Sequence, residues 1–257
     1  MPSRESRARA HRRVIRRRRQ VVGGGLLLFV ALLVLAGVRL AAALTGDTVA
    51  TATRTVPVRV MTPVMTSMPT AQTLGTGEYE RAPGGTDRQG SGPLRTYRVE
   101  VEIGTGQDAQ AFAAAVDATL ANPASWAGSG RWSVQRVAGE DADLVIRLAT
   151  SATVGTVCEA AGLEDAAYSS CRTGHLVMIN LDRWLHAVPE YRGDVALYRQ
   201  YVINHEVGHG LGLGHQACPG PGRPAPVMQQ QTLGLNGCLP NGWPYVDGVL
   251  VSGPAAS

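Results

Sequence analysis

Three of the chain's six histidines, His205, His209 and His215, fall inside the eleven residues HEVGHGLGLGH, together with Glu206. Neutral imidazoles are metal ligands, and a carboxylate next to them can serve as a base. Spacing decides whether the groups act together. On an α-helix, residues four apart share a face, so His205 and His209 aim at one ion. Zn–N bonds of about 2.0–2.1 Å demand that convergence. Glu206 lies about 100° further round the helix, too far for a third ligand but well placed to reach a water on the metal. An H-E-x-x-H turn thus supplies two ligands and a base.

His215 cannot join them on a continuing helix. Ten residues past His205 it would be displaced by roughly 15 Å and rotated away. The backbone must leave the helix, and Gly212 stands where a left-handed C-terminal turn folds His215 back. Gly208 and Gly210 each cost the helix about 1 kcal/mol relative to alanine, which a purely structural helix has little reason to accept. By chance, H-E-x-x-H-x-x-G-x-x-H arises on the order of 10⁻⁵ times per chain of this length at ordinary Glu and Gly usage. One zinc ion held by His205, His209 and His215 is the expectation.

That stretch resembles the signature of the metzincins, zinc endopeptidases that include astacins, matrix metalloproteases and adamalysins. The resemblance implies a mixed β-sheet with a zinc-binding active-site helix. It makes His205, His209 and His215 the ligands, Glu206 the general base, and Met228 in PAPVMQQQ the methionine of a tight turn beneath the metal. Some metzincins carry a tyrosine ligand two residues after that methionine; Gln230 stands there, so no tyrosine switch is expected. Others are held latent by a propeptide cysteine, for which this chain has no candidate. With YRQYVINHEVGHGLGLGH and APVMQQQT, residues 73–244 are also similar to a family of exported, membrane-anchored proteins of high-GC bacteria.

Other features concern location. Nine of the 24 basic residues precede Gln20, opposed only by Glu5. Without that segment, 15 basic face 19 acidic residues, so the basic pI belongs to the tail and the folded part has no nucleic-acid footprint. Residues 21–44 form an apolar run that suits a bilayer core, and the arginines before it predict a cytoplasmic N-terminus. The expectation is a single-pass anchor with everything after it outside the cytoplasm. The alternatives are a cleaved signal peptide at Ala41 and Ala43, giving a secreted protein, or a twin-arginine signal at Arg18 and Arg19. The four cysteines agree with export. They allow three pairings, of which the local one, Cys158–Cys171 and Cys218–Cys238, is expected.

Along the chain this gives a basic tail (1–20), an anchor (21–44), a Thr/Pro/Gly-rich stalk (45–93) and a globular domain (94–257). In the domain TYRVEVEI alternates as a half-buried strand, DAQAFAAAVDATL reads as a helix with Asp108 near its cap, and WSVQRV, ADLVIRLA and HLVMINL read as strands. DVALYRQYVINHEVGHGL is helical, with Val195, Tyr198, Val202 and Val207 as its apolar stripe. Beyond His215 the chain reads as loop. The fold class is α+β, or α/β, on one mixed sheet.

The function expected is an extracytoplasmic zinc endopeptidase acting on peptide or protein substrates. A peptide would lie along HLVMINL or its neighbour. His175, which opens that strand, is read as structural. A disulfide between Cys218 and Cys238 would brace the loop around Met228, which in metzincins walls the pocket for the residue after the cut bond. The alternative is a zinc-stabilised envelope binding or scaffold protein without turnover.

Overall fold

β-Branched and aromatic residues at alternating positions do build the expected strands, and the computed structural model describes them within residues 75–163 and 167–256. Four strands run parallel: β3 (Leu94–Glu102), β4 (Ser133–Arg136), β5 (Leu144–Ala149) and β7 (Leu176–Asn180). Three more pair antiparallel to them: β1 (Tyr79–Arg81) on β3, β2 (Gln89–Gly90) on β4, and β6 (Cys171–Thr173) on β7. The sheet is mixed, in the order β2-β4-β3-β5-β7-β6, with β1 flanking the far end of β3. Four helices accompany it among the described residues: α1 (Ala109–Leu120), α2 (Ser151–Glu159), α3 (Leu181–His186) and α4 (Val195–Gly210).

Alternation along the strands divides the core in two. Val99, Ile146 and Val177 lie in register across β3, β5 and β7 and belong to the main core with Phe112 and Val116 of α1 and Val202 and Val207 of α4. Met178, one residue on from Val177, faces the other way and packs with Ala149, Val154, Cys158 and Cys171. Short polar residues start the helices. Asp108 accepts from the Ala111 N–H at 2.6 Å, and the Asn180 side chain accepts from the Asp182 N–H at 3.0 Å. Both expected disulfides are present, Cys158–Cys171 joining α2 to β6 and Cys218–Cys238 closing the loop that holds Met228.

Several expectations are corrected. Residues 79–90, read as stalk, contribute β1 and β2 to the sheet, so the domain begins before Leu94. Apart from Tyr79, packed against the smaller core, and Ala82, in the main one, their place is secured by backbone and arginine contacts, which is why the composition suggested a linker. The Arg136 guanidinium, for instance, donates to Pro83 O and Gly84 O while paired with Asp117. The supposed polar face of β3 is buried as well. Glu102 accepts from Gly77 N, Thr150 N and Thr153 Oγ1, and Glu100 pairs with Arg98 and Arg147. The region after His215 contains a hairpin, β8 (Tyr245–Val246) and β9 (Val249–Leu250). Helices α2 and α3 had not been anticipated. No helix among the described residues is long and apolar enough to cross a membrane. The expected tail and anchor, residues 1–44, lie outside those residues, as does most of the stalk.

Candidate metal centre

The histidine helix is held from three sides. Asn204 accepts from Ser125 Oγ at 2.6 Å and donates to Gly242 O at 2.9 Å, while Trp126 Nε1 donates to Asn204 O at 2.7 Å. Residues Tyr201 to Gly208 are buried all round, so α4 runs through the core rather than along a surface. The two helical glycines have packing reasons. A Cβ on Gly208 would meet Met228 Sδ at 2.4 Å, and one on Gly210 would meet Leu144 Cδ1 at 2.8 Å.

The helix ends where the chemistry requires. Gly212 has φ +86°, its N–H donates to His209 O at 3.0 Å, and the Leu213 N–H donates to Gly208 O at 3.0 Å. These two bonds and the left-handed glycine make a Schellman cap, which satisfies two carbonyls that the helix end would otherwise leave open. The chain then turns back and is fastened: the Gln216 N–H donates to Met228 O at 3.0 Å, the Ala217 N–H to Pro254 O at 2.8 Å, and His215 O accepts from the Ala256 N–H at 3.1 Å.

The three imidazoles consequently converge. Nε2 of His209 lies 3.3 Å from Nε2 of His205 and 3.0 Å from Nε2 of His215. The other ring nitrogens fix the tautomers of two of them. Nδ1 of His205 is 2.7 Å from Val227 O and Nδ1 of His209 is 2.9 Å from Leu213 O. A carbonyl only accepts, so both Nδ1 atoms carry the proton and both Nε2 atoms turn bare lone pairs toward each other. Facing lone pairs repel, and a cation between them removes the repulsion. Protonation is an unfavourable way to supply it. Burial, with the neighbouring imidazoles His209 and His215, pushes the His205 pKa down to about 3, and burial also lowers His209 and His215. The cluster is therefore a set of neutral imidazoles that could hold a metal ion.

Glu206 stands beside this cluster without joining it. Its carboxyl is buried, and desolvation alone raises its pKa to about 8. Together with the three histidines it lines a cleft of about 700 Å³. One wall is the segment around Ser170, Cys171 and Arg172; another is Gln230, Thr232 and Leu233, from the loop closed by Cys218 and Cys238. Met228 is buried beneath, against Gly208, in a turn closed by the Gln229 N–H donating to Pro226 O at 2.9 Å. HLVMINL is interior, because β6 covers it, and the edge strand beside the cleft is that neighbour. His175 is exposed and outside the cleft.

The sequence reading missed the support under the methionine turn. Gln231, fully buried, donates to Pro226 O and Asn241 O and accepts from Tyr191 Oη and the Asn241 N–H. Tyr198 and Tyr201, three apart on α4, reach the same loop through Thr232 Oγ1 and Gln229 O. The only signal was a run of polar residues, QQQT, in an otherwise apolar or Pro/Gly-rich region.

A mixed sheet backed by a helix that brings three imidazoles and a buried carboxyl to one cleft defines an α+β domain with a candidate metal centre. Residues 66–245 match the family described as "Protein of unknown function (DUF3152)", and the chain belongs to that family. No curated protein and no solved structure matches it.

Proposed function

We propose that the chain is a zinc-dependent endopeptidase of metzincin type, working outside the cytoplasm and tethered by residues 21–44. One observation carries the proposal: three converging neutral imidazoles, two of them with opposed lone pairs, line an open cleft with a buried glutamate that has no hydrogen-bond or ion-pair partner among the described residues. The donor set fits zinc. Tetrahedral bonds of about 2.0–2.1 Å place nitrogens roughly 3.3 Å apart, and the observed separations are 3.3 and 3.0 Å. Three ligands and no fourth His, Cys, Asp or Glu in the group, among the described residues, is the donor count of a catalytic rather than a structural site. Met228 under the histidines and the turn at Gly212 agree with a metzincin arrangement.

Zinc in such a site supplies Lewis acidity, polarising a carbonyl and making water acidic near neutral pH. Val227 O and Leu213 O hold the His205 and His209 rings in the ligating tautomer. Glu206 takes the proton of the attacking water and delivers it to the departing amide nitrogen. Burial favours this transfer by raising the group's proton affinity. An extended peptide adds to β6, the edge strand beside the cleft. Two disulfides agree with an oxidising compartment.

The test is hydrolysis of a peptide library by the purified chain, with and without chelator, beside Glu206→Gln. The expected result is activity lost to chelator, restored by zinc, and lowered by about 10²–10⁴ in Glu206→Gln. Equal activity in the two proteins sinks the mechanism. Zinc binding with no hydrolysis by either leaves a zinc-stabilised scaffold.

A further inference from the structure

Among the described residues, strand β6 pairs with β7 on one side and with no strand on the other, which leaves that edge free to take an added strand. Residues opposite each other in an antiparallel pair point to the same face. Cys171 opposes Met178, and both belong to the small core with α2. Arg172 opposes Val177, which belongs to the main core against α4. The Arg172 side chain therefore projects to the face of the sheet that carries the histidine helix. It is exposed and it lines the cleft.

Among the described residues, Arg172 has no carboxylate paired with it. The whole chain has no lysine, and Arg172 is the only arginine lining the cleft among the described residues. The other ionisable groups in that lining are the three histidines, Glu206 and the Tyr201 hydroxyl. The remaining arginines of the sheet behave differently: Arg81, Arg95, Arg98, Arg136 and Arg147 each lie beside a carboxylate of the domain. A guanidinium presents a rigid fork of donors that matches a carboxylate in two parallel hydrogen bonds.

We infer that Arg172 is a specificity-determining residue, which selects substrates carrying a carboxylate close to the bond that is cut. The inference rests on the peptidase reading and adds the chemical class of the substrate. The carboxylate is either an acidic side chain of an extended peptide or a free C-terminus a short distance along; the fork recognises the same group in both.

The experiment measures binding as well as cleavage. Fluorescein-labelled octapeptides are made with Asp, Asn or Arg at one position in turn, each with a free or an amidated C-terminus. Their dissociation constants are read by fluorescence anisotropy on the full chain carrying Glu206→Gln and loaded with zinc, alone and with Arg172→Gln or Arg172→Glu added. Cleavage of the same peptides by the parent chain is scored in parallel. The expected result is about tenfold tighter binding of Asp over Asn at one position, or of the free over the amidated terminus. That ratio falls to about one in Arg172→Gln and reverses, in favour of Arg, in Arg172→Glu. The position that responds says which source supplies the carboxylate. A ratio near one in the parent, or one that Arg172→Gln leaves unchanged, overturns the inference. Peptides cut without charge preference sink Arg172 alone; peptides neither bound nor cut sink the peptidase reading and this inference with it.

Discussion

Replacing Gly212 by alanine tests whether the turn after α4 brings the third imidazole to the site. An added Cβ would touch nothing within 4 Å, so crowding plays no part. The cost is the backbone's alone: φ is +86°, and an L-residue held in the left-handed region loses about 1–2 kcal/mol. The chain has two responses. It can keep the turn and lose that stability, which lowers the melting midpoint of a domain this size by about 2–8 °C. Or it can relax, breaking the bonds from Gly212 N to His209 O and from Leu213 N to Gly208 O and swinging His215 away. Zinc binding then has to restore the turn, and its dissociation constant rises about 5–30-fold. Gly214 is the control, since its Cβ also meets nothing within 4 Å while its φ lies outside the left-handed range. Gly214→Ala stays within about 0.5 kcal/mol of the parent. Thermal melts with chelator and competition against a chromophoric zinc chelator measure both quantities. Gly212→Ala matching Gly214→Ala in stability and zinc affinity would refute the reasoning.

Three further outcomes follow from contacts already described. Gln231→Leu removes four hydrogen bonds, two donated by Nε2 and two accepted by Oε1, from buried partners at the base of the methionine turn. It costs about 3–5 kcal/mol in urea unfolding and weakens zinc binding through Val227; a loss under 1 kcal/mol would contradict the role assigned to it. Glu100 has its pKa lowered: burial acts to raise it, but Arg147 and Arg98 outweigh burial. A carboxylate with a depressed folded pKa adds stability above its unfolded pKa, and that stability goes as pH falls through the folded value. Glu100→Gln is therefore less stable than the parent by about 2 kcal/mol at pH 7, and urea curves at descending pH converge below about 4.5. Constant separation across that range would exclude the linkage. Breaking Cys218–Cys238 with serines opens a loop of 20 residues and removes about 3 kcal/mol. It also loosens the cleft wall formed by Gln230, Thr232 and Leu233, which on the proposed peptidase reading broadens cleavage specificity. Unchanged stability and unchanged specificity would reject that bracing role.

The sequence alone determined what happens within one or two turns of helix. His205 and His209 share a face because the helical period is fixed by backbone geometry, and Gly212 marks the reversal because glycine alone takes that conformation cheaply. Asp108 capped its helix for the same local reason, and the local disulfide pairing also held. Tertiary structure decided what depends on distant partners. Glu100 and Glu102 alternate like a solvent face, yet both are buried, held by Arg147, Thr150 and Thr153 from far along the chain. Strands β1, β2 and β6 join the sheet through backbone hydrogen bonds, which leave little trace in side-chain composition. Val227 O orients His205 from 22 residues away. Periodicity is written into a segment by its own geometry, whereas the partner of a buried polar group is chosen only when the whole chain closes around it.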